Sequence, residues 1–169
     1  MAYLEAVRIN MEKALKAFNP PLLKYLEDKG ITLQDLIETA LELFVPHPGV
    51  EDKEKAAELL KEEFIDVLSD VNISCIEVAC FCLEEEAKKG LVPGLTVERF
   101  SGRPGLVIDE LLGMTIANYI AGARGIFEFI RFDQNKPGIL KKLGPITNDA
   151  IGDWSPVFPQ TCTLKLYKE

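Results

Sequence analysis

The sequence predicts an all-α fold, and three observations carry that reading. Apolar residues recur with the helical period over most of the chain, no run of alternating β-branched residues is present, and Pro and Gly punctuate the periodic stretches at helix-sized intervals. The 169 residues fit one domain of ordinary size. The expected architecture is a single-domain helical bundle over residues 1–152, with a central apolar helix surrounded by the others and an irregular tail at 153–169. A content of 47% apolar and 27% charged residues is a globular balance and excludes disorder of the whole chain. The formal charge of −8 opposes nonspecific nucleic-acid binding, because phosphates would meet net repulsion.

The elements follow in order. Tyr3 to Phe18 has a helical pattern that Asn19-Pro20-Pro21 stops. Leu22 to Asp28 is a short helix closed by Gly30, and Thr32 caps a helix that runs to about Val45, with Gln34 and Asp35 in its first turn. Pro46-His47-Pro48-Gly49 reads as a loop, with His47 a loop residue. Asp52 to Lys89 is one long helical region, bent near Ser69. Turn signals mark a loop over Gly90 to Gly105, after which Leu106 to Phe132 is strongly apolar, Pro137 to Leu143 is a short helix and the remainder is irregular.

Leu111 to Ile130 is apolar over about the length of a membrane span. It contains Arg124 and Glu128, and a charge at the bilayer centre costs about 2.5–3.5 kcal/mol on the insertion scale. Asn118, Gly122 and Gly125 interrupt it further. Gly113, Ala117, Ala121 and Gly125 recur every four residues, a small-residue stripe suited to close approach of another helix. The segment therefore reads as the central helix of the bundle. Met1 to Asn10 carries Glu5 and Arg8 and has no signal-peptide core, so a cytoplasmic location is expected. Cys75, Cys80, Cys82 and Cys162 form no Cys-x-x-Cys pair, and one histidine cannot complete a zinc site, so buried reduced thiols are expected.

The acids carry the chemistry. Glu54, Glu58, Glu62, Asp66 and Asp70 recur every four residues; the first three read as a solvated helix face. Asp70 stands where the sequence turns apolar and is expected to enter the interior beside Asn72 and Ser74, where a carboxylate needs a partner or an ion. Asp109 and Glu110 sit side by side in apolar sequence, and a favourable helix-dipole interaction of about 0.3–1 kcal/mol accounts for one such acid more readily than for two. Asp133 lies between Arg131 and Lys136, and Asn148-Asp149 either starts another helix or adds to the site. Taken together, four acids with Arg131 and Lys136 fit a centre where Mg²⁺ or Mn²⁺ takes oxygen ligands while cations hold a phosphate.

Three stretches carry a family resemblance: Gly105-Leu106-Val107-Ile108-Asp109-Glu110-Leu111-Leu112-Gly113, Gly125-Ile126-Phe127-Glu128-Phe129-Ile130-Arg131-Phe132-Asp133, and Lys136-Pro137-Gly138-Ile139-Leu140. Asp70-Val71-Asn72, Glu84-Glu85-Glu86 and Leu91-Val92-Pro93-Gly94-Leu95 add weaker matches. On these residues the chain resembles the phosphatidylglycerophosphatase A superfamily, and within it the soluble archaeal branch of α-ribazole-5′-phosphate phosphatases of cobamide nucleotide-loop assembly. The resemblance implies a helical bundle, Mg²⁺-dependent phosphomonoester hydrolysis and a homo-oligomer. Asn148 departs from the pattern, which has two adjacent aspartates there, and Pro156 and Pro159 forbid the regular helix that would follow.

The expected roles follow from both lines. Asp109, Glu110, Asp133 and Asp149 hold the metal; Arg131 and Lys136 clamp a small phosphorylated substrate. Asp70, Asp109 and Asp133 are the expected catalytic acids, and Asn72 and Asn118 orient neighbours and substrate. Two alternatives stay open: phosphatidylglycerophosphate as substrate, or a non-enzymatic helical interaction module in which the carboxylates are structural.

Overall fold

Helices begin where the sequence supplies caps. The computed structural model describes residues 20–102 and 106–152; the helix expected at Tyr3–Phe18, Cys162 and the tail at 153–169 lie outside the described residues. Helix α1 (Pro21–Asp28) starts on a proline, whose missing N–H is no loss there, and Gly30 ends its turn at φ +83°. Helix α2 (Leu33–Glu42) starts with a capping box between Thr32 and Asp35. The region expected as one bent helix is two. Asp52 caps α3 (Lys53–Leu68) by accepting from the Lys55 N–H, and Asp70 caps α4 (Val71–Lys88) by accepting from Asn72 and Ile73. The break has a local cause, since the Asp70 side chain satisfies amides that a continuous helix would have bonded itself.

Helix α5 (Val97–Ser101) is a single capped turn inside the expected loop. The apolar stretch after it is also two helices, α6 (Ile108–Ala121) and α7 (Ala123–Asn135), because Gly122 adopts φ +63° and reverses the chain. The small-residue stripe serves this hairpin. A Cβ on Gly125 would lie 2.2 Å from the Ala117 carbonyl oxygen, so the two helices touch backbone to backbone. A 3₁₀ turn (Gly138–Lys142) and α8 (Pro145–Gly152) complete the described chain, and α8 corrects the expectation of irregular structure after Leu143. No strand occurs among the described residues; His47 and Val50 form an isolated bridge.

The fold is an all-α single domain. Helix α6 lies against α8, α7 and α4, while α2 packs on the 3₁₀ turn and α3. Phe64, Phe132, Leu26, Leu36, Ile116 and Ile146 are among the fully buried core side chains; each such residue contributes about 1.5–3 kcal/mol by leaving water. Glu54, Glu58 and Glu62 are exposed, as expected of a solvated face, and Asp66 is exposed beside them. Cys80 is buried, but Cys75 and Cys82 are exposed, which corrects the expectation of three buried thiols in α4. Among the described residues no helix is long and apolar enough to cross a membrane.

Candidate metal centre

The turn at Gly122 decides which acids meet. Glu110 stands twelve positions before it and Asp133 eleven after it, so folding α7 back along α6 returns the two carboxylates to the same end of the hairpin. Helix α8 closes that end and supplies Asn148 and Asp149. Carboxylate oxygens of Glu110, Asp133 and Asp149 lie within 4.8 Å of one another. Asp109 lines the same cleft of about 680 Å³, with its Oδ1 accepting from the Glu110 N–H at 3.0 Å.

Lys136 enters this cluster through an unusual backbone. It caps α7 in the left-handed region at φ 42°, ψ 57°, which turns its side chain back under the helix end. The Lys136 ammonium donates to Asp133, Asn148 and Asp149. One ammonium thus bridges two of the four acids that line the cleft. Burial is the main force that pushes the Asp149 carboxyl up to about 7; the charges of Asp133 and Asp109 add to it, and Lys136 opposes it. Burial, then Asp133 and Asp109, raise the partly exposed Glu110 as well. For Lys136, burial works against the charge, but the hydrogen bonds to Asp133 and Asp149 outweigh it and hold its pKa above the usual lysine value.

Glu84 fixes the helix that carries Asp149. It is buried, and its Oε2 accepts from the N–H groups of Ile146 and Thr147 at 3.1 and 2.9 Å and from the Thr147 hydroxyl at 3.0 Å. A carboxylate at a helix N-terminus satisfies amides that have no partner inside the helix and meets the positive end of its dipole. Its Oε1 accepts from Lys88 at 2.5 Å, and Lys88 lines the cleft. Gly144 makes room for the clamp, since a Cβ there would fall 1.9 Å from Glu84 Oε1.

Four expected site residues lie elsewhere. Asp70 is a surface cap of α4 whose Oδ2 also accepts from the Tyr119 hydroxyl at 3.1 Å. Burial pushes its pKa up, but the bonds from Ile73, Asn72 and Tyr119 outweigh that and hold it below the usual value. Asn72 is exposed and donates to Tyr119 at 2.9 Å. Asn118 is exposed on α6, nine positions and hence about 180° around the helix from Asp109. Arg131 precedes Asp133 by two positions, about 200° around α7, and points away from the cluster. Its guanidinium donates to the Leu43 carbonyl at 2.9 Å and pairs with Glu128 at 2.6 Å.

Sequence reasoning missed Glu84, Lys88 and the part played by Asn148. The first two are four apart on one helix face, a spacing that looks like an ordinary surface ion pair. Asn148, a departure from the resembled pattern, keeps an oxygen in the cluster and gives it to Lys136.

The fold recurs in solved structures. The low temperature requirement C protein from Listeria monocytogenes aligns at TM-score 0.72 and 22% identity, over 86% of this chain and 94% of that one. Protein ypjQ from Bacillus subtilis (DUF64) aligns at 0.69 and 19% identity, over 94% and 98%. A protein of unknown function from Bacillus stearothermophilus aligns at 0.68 and 20%, over 88% and 93%. At these identities the likeness shows the fold alone. No family model matches the sequence. The uncharacterized protein MJ1330 of Methanocaldococcus jannaschii is 35% identical over 94 residues, which are 55% of this chain and 71% of that protein. The chain belongs to the same family as that archaeal protein.

Proposed function

We propose that this chain is a divalent-metal-dependent phosphomonoesterase acting on a small phosphorylated substrate, with α-ribazole 5′-phosphate the first candidate from the family resemblance. One observation carries the reading: three carboxylates from three helices converge within 4.8 Å beside a lysine in an open cleft. The donor set is hard oxygen, with no thiol or imidazole lining the cleft among the described residues, which suits Mg²⁺ or Mn²⁺ rather than zinc or copper.

Glu110, Asp133 and Asp149 would hold the ion, and bound there it offsets phosphate charge and makes a water more acidic. Lys136 and Lys88 supply the positive charge that draws a phosphate into a cleft whose other charged groups are acids. Asp109 lines the cleft outside the triad, where its carboxylate orients an attacking water and accepts its proton. Phe100 and Leu106, which also line the cleft, would give an organic leaving group an apolar surface. Arg131 has no part in this reading, since its guanidinium is committed to Leu43 and Glu128.

Phosphate release from α-ribazole 5′-phosphate and from simple nucleoside monophosphates, measured with and without Mg²⁺, tests the proposal. Asp109→Asn and Asp133→Asn are each expected to lower Mg²⁺-dependent turnover by about 10²-fold or more, with the far-UV circular dichroism unchanged. Turnover of phosphatidylglycerophosphate micelles but not of soluble esters would move the substrate to lipid. Undiminished turnover in both variants would remove the assignment.

A further inference from the structure

We propose that Lys136 is the resident counter-ion of the acid cluster, and that a divalent cation enters only by exchanging with its ammonium group, which is thereby released into the cleft. The inference rests on the metal-centre reading above and adds a step to it. Two of the three carboxylates that would hold an ion, Asp133 and Asp149, already accept hydrogen bonds from the Lys136 ammonium, and Asn148 accepts a third. An ammonium has three donors, and all three are spent on the cluster. A divalent ion drawing on the same oxygens would meet both a like charge and ligands already engaged. The two cations therefore compete for one place.

The structure also gives the displaced side chain somewhere to go. The Lys136 side chain is 34% exposed, lines the cleft and ends a flexible four-carbon stem. Its backbone is held by the bond from its N–H to the Phe132 carbonyl and by Pro137 behind it, so exchange needs side-chain rotation alone. Swung outward, the same ammonium faces the space where a phosphate would lie. Lys136 would thus report metal occupancy to the substrate site: engaged by acids when the metal is absent, free for an anion when it is present.

Competition lowers apparent metal affinity by the fraction of molecules in which the lysine holds the cluster. Isothermal calorimetry with Mn²⁺ on the full chain is therefore expected to show Lys136→Met and Lys136→Gln binding about tenfold or more tighter than wild type. Equal or weaker binding in both folded variants, with wild type still binding, overturns the exchange and leaves the metal centre standing. Absence of binding in wild type and in both variants overturns the metal centre as well. A second measurement needs no variant: acylation of wild-type lysines, read by mass spectrometry. Added Mg²⁺ is expected to speed modification of Lys136 several-fold while leaving exposed Lys141 and Lys142 unchanged, and an unchanged or slower Lys136 counts against the exchange.

Discussion

Lys136 is the one non-glycine residue with positive φ among the described residues. The left-handed region costs an L-residue about 1–2 kcal/mol, and the sequence puts Pro rather than Gly after it. What offsets the cost is the set of bonds its ammonium makes to Asp133, Asn148 and Asp149. Asp149 gives this cluster a pH signature. Its folded carboxyl titrates at about 7 against an ordinary value of 3.8, so the folded chain holds a proton that the unfolded chain releases over that interval. The resulting stability is fully present below about pH 4 and is lost as pH rises through about 7. In the metal-free protein the melting temperature is expected to fall between pH 5 and 8, less steeply in Asp149→Asn. Affinity for Mn²⁺ runs the other way, rising up to tenfold per pH unit and levelling off above about 7. Calorimetry across that range checks this, and a flat profile would refute it.

At the scale of the helix, α8 matters most. It has eight residues, most of them buried, and its N-terminal amides depend on Glu84 from α4. Truncating a buried, charged hydrogen-bonding group leaves its partners unsatisfied and costs about 3 kcal/mol. Glu84→Ala is expected to destabilise the protein by that amount in urea and to abolish Mn²⁺ binding. Glu85→Ala, next in sequence but exposed and paired with Lys29, is expected to leave both nearly unchanged. Comparable losses in the two variants would remove the special role of Glu84. Sequence signals read this level unevenly. Thr32 and Gly30 were legible because each acts on its immediate neighbours, whereas Pro21 reads in the sequence as a stop to the preceding helix and instead starts α1. A bend near Ser69 and an interruption at Gly122 were legible, but full breaks there were not, since apolar periodicity runs through both and only backbone geometry shows the reversal. Helix α8 showed only as one of two readings of Asn148-Asp149, and its start at Pro145 was hidden because its clamp comes from a residue more than sixty positions earlier.

For the whole molecule, the helical class and single domain follow from periodicity and length, and the structure has both. The candidate site divides along a physical line. Glu110, Asp133, Asp149 and Lys136 meet as expected, and Asp109 joins them in the cleft. Asp70, Asn72, Asn118 and Arg131 do not: Asn118 and Arg131 take the far faces of α6 and α7, which the helical period already implies, and Asp70 and Asn72 stand at the start of α4 beside Tyr119. A cation that binds only the folded chain stabilises all of it. At a concentration 100 times its dissociation constant, Mg²⁺ is expected to add about 2.7 kcal/mol, seen as a rise in melting temperature that Asp133→Asn lacks. An equal rise in that variant would place the binding elsewhere.

The Glu84 clamp has a last consequence. The acids come from the final third of the described chain, yet the hydrogen bonds that hold the start of α8 come from its middle. Warming that loosens this clamp is expected to free the start of α8 and displace Asp149 from the cluster before the other helices part. Mn²⁺ binding is then expected to be lost on heating several degrees before the bundle itself melts.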